Sequence, residues 1–151
     1  MSADRAAALI RALGHAVGID ALSLDERGNC TLRFDETVLA LALDEDEDRL
    51  VLHAGLGPLP AEGRAELLAR LLEGNLFWKD THGATLALDR RNARVLLLRA
   101  VPLDAPPAGF PGLVERFVDA AEAWSAVIVT ACYAVPEPAA NATLVDPTRF
   151  A

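Results

Sequence analysis

A chain of 151 residues has the length of one ordinary domain and buries roughly two-thirds of the surface that its unfolded form exposes. A hydrophobic share of 52% beside 24% charged residues predicts a folded, globular chain rather than a disordered one. The formal charge of -8, from 22 acidic against 14 basic residues, repels phosphate and anionic headgroups and so disfavours nucleic acid and membrane surfaces as partners.

The first segment, Ser2 to about Val17, places Leu9, Ile10, Leu13 and Val17 on one helical face, and Gly18 is suited to end it. After the turn Arg27-Gly28-Asn29, Cys30, Leu32 and Phe34 alternate with Thr31, Arg33 and Asp35, the period of a strand with one buried face. In Val38 to Leu43, Leu39, Leu41 and Leu43 share one face and small Ala40 and Ala42 the other, so that another element could lie close. Leu50 to Leu56 is the third strand, and the intervening Asp44-Glu45-Asp46-Glu47-Asp48 is too polar to bury and predicts a solvated hairpin loop. These three strands form an antiparallel meander.

Gly57-Pro58-Leu59-Pro60 breaks the sheet, and Pro60 suits the first turn of a helix expected to run to about Phe77. Its stripe of Leu67, Leu68, Leu71, Leu72 and Leu76 lies opposite Arg64, Arg70 and Glu73. Strands over Thr85 to Leu88 and Arg94 to Val101 flank the turn Asp89-Arg90-Arg91-Asn92, and Pro102 closes the second. From about Phe110 to Ala131 a long stripe runs through Leu113, Val114, Phe117, Val118, Ala121, Trp124 and Ile128. The expected fold is a single α+β domain over residues 1–132, ordered α-β-β-β-α-β-β-α, with three helices on an antiparallel twisted sheet. The prolines at 136, 138 and 147, among small and polar residues without periodicity, predict a flexible tail over residues 133–151.

Catalytic and metal-binding signals are weak. His15, His53 and His82 fall on a helix, a strand and a loop with no partner at metal-ligand spacing, and Cys30 and Cys132 read as reduced packing residues. The acidic run matches the first calcium-loop ligand positions, but Arg49 stands where that loop needs glycine and Gly55 where it needs glutamate. Ala54-Gly55-Leu56-Gly57-Pro58 lacks the third glycine of a dinucleotide fingerprint, and its prolines remove the N–H groups that would face phosphate. Asn141-Ala142-Thr143 matches a glycosylation sequon by chance. The expectation is a chain that is no enzyme and holds neither cofactor nor metal. No run reaches the roughly 18 apolar residues of a membrane span, and Met1-Ser2-Ala3-Asp4-Arg5 has no signal-peptide character, which suggests the cytoplasm.

What is left over is surface, notably the leucine stripe ending in Leu76-Phe77-Trp78, which either packs on its own sheet or meets a second copy. Asn75-Leu76-Phe77-Trp78 followed by Thr81-His82-Gly83-Ala84-Thr85-Leu86-Ala87-Leu88-Asp89 resembles the segment that joins the second helix to the fourth strand in class I type III secretion chaperones, the CesT/SycE-like Tir chaperone family. Leu13-Gly14 to Gly18 with Leu24-Asp25-Glu26-Arg27-Gly28-Asn29-Cys30, Leu56-Gly57-Pro58-Leu59-Pro60, and Phe117-Val118-Asp119-Ala120-Ala121-Glu122-Ala123-Trp124 are similar to the same family pattern, so the resemblance covers roughly residues 6–128.

The resemblance implies a cytoplasmic bacterial homodimer whose interface includes Leu67, Leu68, Leu71, Leu76, Phe77 and Trp78. It further implies that the dimer holds the N-terminal, non-globular segment of a cognate effector extended and presents the complex to the secretion ATPase. Leu9, Leu13, Val17, Leu32, Phe34 and Leu41 are the candidate effector-binding residues. Two other readings stay open: the same fold sequestering a secretion regulator or anti-activator, and a small ligand-binding domain or enzyme.

Overall fold

The computed structural model describes residues 1–133, and the expected tail lies outside the described residues. The elements are α1 (Ser2–Val17), β1 (Asn29–Phe34), β2 (Thr37–Asp44), β3 (Arg49–Pro58), α2 (Arg64–Gly74), β4 (Thr85–Asp89), β5 (Arg94–Pro102) and α3 (Phe110–Tyr133), in the expected order. Short 3-10 turns at Leu76–Trp78 and Pro107–Gly109 follow α2 and precede α3. The strands form one five-stranded antiparallel sheet in the order β1-β2-β3-β5-β4, so the meander is borne out and the second hairpin joins it through β5.

Alternation decides which face of the sheet is buried. Cys30, Leu32, Leu39, Leu41, Leu50, Leu52, Val95 and Leu97 point to one side, where Leu9, Ile10 and Leu13 of α1 and Phe117, Ala121 and Ile128 of α3 complete a single core. α3 lies across β3 and against α1, while α2 packs beside β4 and meets α3 at Trp124. The opposite face, with Ala40, Ala42, Val51, His53, Leu96 and Leu98, stays half-exposed. Cys30 and Cys132 are both free thiols, and burial, followed by the nearby Asp25 carboxylate, pushes the Cys30 thiol up.

The turns have local causes. Gly18 ends α1 in the left-handed region at φ 79, a conformation that glycine adopts without steric cost. One Asp25 carboxylate oxygen accepts the backbone N–H groups of Arg27 at 2.8 Å and Asn29 at 2.9 Å, which shapes the entry to β1. The acidic run forms the expected β2–β3 hairpin turn and also acts as a clamp. Asp48 accepts from Ser2 Oγ at 2.5 Å and from Arg5 Nη2 at 2.9 Å, and its carbonyl accepts the N–H of Leu103 at 3.0 Å. Asp44 pairs with Arg49 at 2.8 Å.

The bounds of α2 differ from expectation. It starts at Arg64, not Pro60, and ends at Gly74, not Phe77. Pro60 is buried ahead of the helix, and its carbonyl accepts from Arg64 Nε at 2.6 Å across a bend that passes through Gly63. At the other end, a Cβ on Gly74 would lie 2.5 Å from the Trp124 ring and 3.0 Å from Leu86, so the helix must present a bare backbone where it crosses α3.

Two outcomes follow. Gly74→Ala forces the Trp124 ring to shift and lowers folding stability by about 1–3 kcal/mol, visible in urea as a lower midpoint with an unchanged slope. Hydrogen bonds from Ser2, then from Arg5, hold the Asp48 carboxyl below its ordinary range. Because the folded-state value is depressed, the stabilisation is present at neutral pH and is lost as pH falls through the carboxylate range. Asp48→Asn therefore flattens the acid limb of stability, and an unchanged acid limb would show that the clamp is energetically silent.

Candidate functional site

Apart from the half-exposed outer face of the sheet, two surfaces of the domain gather accessible apolar side chains. The first lies where the C-terminal end of α1, the end of β1 and the start of α3 meet. A groove of about 270 Å³ opens there, with Leu13, Val114 and Val118 as its buried floor and Val17 and half-buried Phe34 at its rim. Its depth comes from chain direction: β1 turns into β2 at Asp35-Glu36, and Phe34 is left between the two helices.

Beside this groove runs an unpaired strand edge. In the β1–β2 ladder Phe34 and Thr37 close a two-residue hairpin, so Cys30, Leu32 and Phe34 direct their backbone groups at β2, and Asn29, Thr31 and Arg33 direct theirs outward. The Asn29 backbone confirms this parity, since its N–H and C=O both bond to Asp25. Among the described residues no hydrogen bond takes up the outward backbone groups of Thr31 and Arg33.

The far edge of the sheet is capped at Leu86. The Asn75 side-chain amide donates to the Leu86 carbonyl at 3.1 Å and accepts its N–H at 2.7 Å, standing in for a neighbouring strand on β4. Farther along that connection, Thr81 is fully buried and donates to the Ala84 carbonyl at 2.5 Å, while Arg99 donates to the His82 carbonyl.

The second apolar surface is carried by α2 and the 3-10 turn after it. Leu72 is 72% exposed, Leu76 64%, Phe77 72% and Trp78 54%. Phe77 and Trp78 both lie in the left-handed region, at φ 55 and 53, which is costly for bulky side chains. The Trp78 N–H to Asn75 carbonyl bond and the Gly83 N–H to Trp78 carbonyl bond, each 3.1 Å, hold that conformation and turn both rings outward.

The residues named from sequence divide between surface and core. Val17 and Phe34 reach the surface, and Leu13 floors the groove between them. Leu32 is buried, and Leu9 and Leu41 are fully enclosed beneath it. On α2, Leu67 and Leu71 are buried in the domain's own core and Leu68 is half-buried against it, whereas Leu76, Phe77 and Trp78 stand free. The α3 wall of the groove was not anticipated: Val114 and Val118 read only as a core stripe. Leu72 was counted in the α2 stripe, and no local signal marked it as exposed.

No site for chemistry takes shape among the described residues. His15, His53 and His82 stay on separate elements, and no group of three metal-ligating side chains forms there. No helix among these residues is long and apolar enough to cross a membrane.

Comparison with known proteins fits this geometry. The model of the Tir chaperone protein (CesT) family matches residues 8–125. A Chlamydia pneumoniae protein is 33% identical over 118 residues, covering 77% of this chain and 90% of the relative. Among solved structures, the ExsC–ExsE complex superposes with a TM-score of 0.70 at 23% identity, covering 83% of this chain and 95% of the other. The Yersinia pestis type III secretion chaperone SycH, in complex with a fragment of YscM2, gives 0.63 at 21% identity over 79% and 98%. The ExoT–SpcS complex of Pseudomonas aeruginosa also gives 0.63, at 25% identity over 79% and 96%. The solved structures share the fold, and by the family model, which spans most of its length, the chain belongs to the Tir chaperone protein (CesT) family.

Proposed function

We propose that the protein is a class I type III secretion chaperone that acts as a cytoplasmic homodimer. It binds the N-terminal, non-globular segment of a cognate effector in extended form and passes the complex to the secretion ATPase. The observation that carries this reading is the open edge of β1 lying against the groove floored by Leu13, Val114 and Val118.

An extended segment added to Thr31 and Arg33 gains main-chain hydrogen bonds that do not depend on its sequence. Its alternate side chains then enter the groove, where fit chooses the partner. Such binding covers the apolar surface of the segment without folding it, which suits passage through a narrow channel. It needs no catalytic group. The HopA1–SchA chaperone–effector complex, which shares this fold, supports the same class of partner.

Homodimerisation is the reading of the second surface. Four exposed apolar side chains, Leu72, Leu76, Phe77 and Trp78, share the α2 end of the domain. Strain held in Phe77 and Trp78 to keep their rings in solvent is better explained by a contact that uses them. Leu67, Leu68 and Leu71 then serve as the packed support of that contact rather than as its outermost layer.

Light scattering tests both parts. The protein alone is expected at about 32 kDa, twice 16.1 kDa, and co-expression with the adjacent gene product is expected to add one effector segment per dimer. A stable monomer that captures nothing contradicts the proposal. Phe77→Gly relieves the backbone strain and deletes the ring, so the mass is expected to fall toward 16.1 kDa while the fold survives by circular dichroism. Val17→Asp with Phe34→Asp is expected to abolish effector capture, because a carboxylate is costly to desolvate at the groove rim. Val17→Asp alone, at an exposed position, is expected to leave the melting temperature little changed, whereas Phe34→Asp, at a side chain packed against the core, is expected to lower it.

A further inference from the structure

The groove does not stop at Val118. A second hollow of about 410 Å³ continues it along α3, between Asp35, Glu36 and Thr37 on one side and Ala121, Glu122 and Ser125 on the other. The walls of the two hollows follow one another along the chain: Phe34 leads into Asp35 and Glu36, and Val118 and Asp119 lead into Ala121 and Glu122. Beside the second hollow the β2–β3 pairing ends at Ala54, and Ser125 Oγ of α3 donates to the Leu56 carbonyl at 2.7 Å.

The rims of this furrow carry charge of one sign. Asp35 and Glu36 stand on the hairpin side, and Glu115, Asp119 and Glu122 follow one another on a single stripe of α3. All five are exposed, neither hollow has a Lys, Arg or His in its lining, and the ion pairs of the described residues, Arg5–Asp48 and Arg49–Asp44, use none of them. The floor between the rims is apolar. A furrow of this kind favours cations above an apolar base.

Spacing sharpens the match. From Pro111 to Val129 the α3 wall runs ~27 Å, the length of about eight residues of extended chain. Glu115 and Asp119 are one helical turn apart, ~6 Å along the axis, and alternate residues of a strand are spaced ~6.7 Å apart. Successive cationic side chains on the outward face of a strand therefore fall opposite successive carboxylates, while the residues between them face the floor.

We propose that the furrow receives an extended, basic peptide segment in which Arg or Lys alternates with aliphatic residues. This deepens the effector-binding reading and rests on it. The preference is carried by Glu115, Asp119 and Glu122, aided by Asp35 and Glu36, whereas the backbone edge of β1 and the aliphatic floor bind without regard to charge.

The test uses the full chain and three fluorescent peptides of about eight residues in which Leu and Val alternate with Arg, with Gln or with Glu. Polarisation at low ionic strength is expected to show the Arg peptide bound about tenfold more tightly than the Glu peptide, with the gap closing as salt rises. The triple variant Glu115→Gln, Asp119→Asn, Glu122→Gln is expected to lose the gap while still binding the Gln peptide. Equal binding of all three peptides, or a gap untouched by the variant, overturns the charge preference and leaves the strand-addition reading standing. Failure of every peptide to bind overturns both. Solvent protection of Glu115 and Glu122 that grows with protein concentration, in the absence of peptide, assigns the furrow to a second copy and also overturns the proposal.

Discussion

One-sided burial governs the rest of the molecule. A five-stranded sheet that buries only one of its faces needs a single cover, and α3 provides most of it through Phe117, Ala121 and Ile128. Once α3 lies across β3 and against α1, it cannot also seal the space beyond β1. The groove at Phe34 and the furrow along α3 are the consequence. The same arrangement leaves α2 at the margin of the core, against β4 and Trp124, with Leu67 and Leu71 inward and Leu72, Leu76, Phe77 and Trp78 outward.

Both edges of the sheet are capped in part, and they differ in what lies beside their open stretch. At β4, Asn75 occupies both backbone groups of Leu86, so an incoming strand would have to displace a satisfied amide. At β1, Thr31 and Arg33 offer their backbone groups to solvent beside an apolar groove. An exposed edge is ordinarily an aggregation hazard that proteins blunt. Here the open stretch of β1 is the one that borders the groove, and the proposed strand addition belongs there. The surface near α2 is left free for a contact of a different kind, made by side chains rather than backbone.

Much of this fold was legible in the sequence because period and depth coincide in it. Alternation in Cys30 to Phe34 and in Leu39 to Leu43, and the helical stripe from Leu9 to Val17, gave the elements and the inner face correctly. The bounds of α2 were misjudged because Pro60 carries a helix-start signal and Leu76-Phe77-Trp78 extends the leucine stripe, while the features that decide are tertiary: the Trp124 ring against Gly74 and the bend at Gly63. Depth was less legible than face. Leu9 and Leu41 carry the same periodic signal as Val17 and Phe34, yet the first two are sealed and the others reach solvent. The opposite wall of the groove, Val114 and Val118, lies some eighty residues away from Phe34 in the chain, and local pattern holds no information about that meeting.

The central claim is that a partner adds as a strand to β1. Amide hydrogen exchange of Thr31 and Arg33, followed by NMR in the free protein and in the co-expressed effector complex, tests it most directly. The account predicts rapid exchange of both amides in the free protein and strong protection in the complex, with the inward-directed amides of Cys30 and Leu32 protected in both states. A complex that forms while Thr31 and Arg33 continue to exchange freely would contradict it.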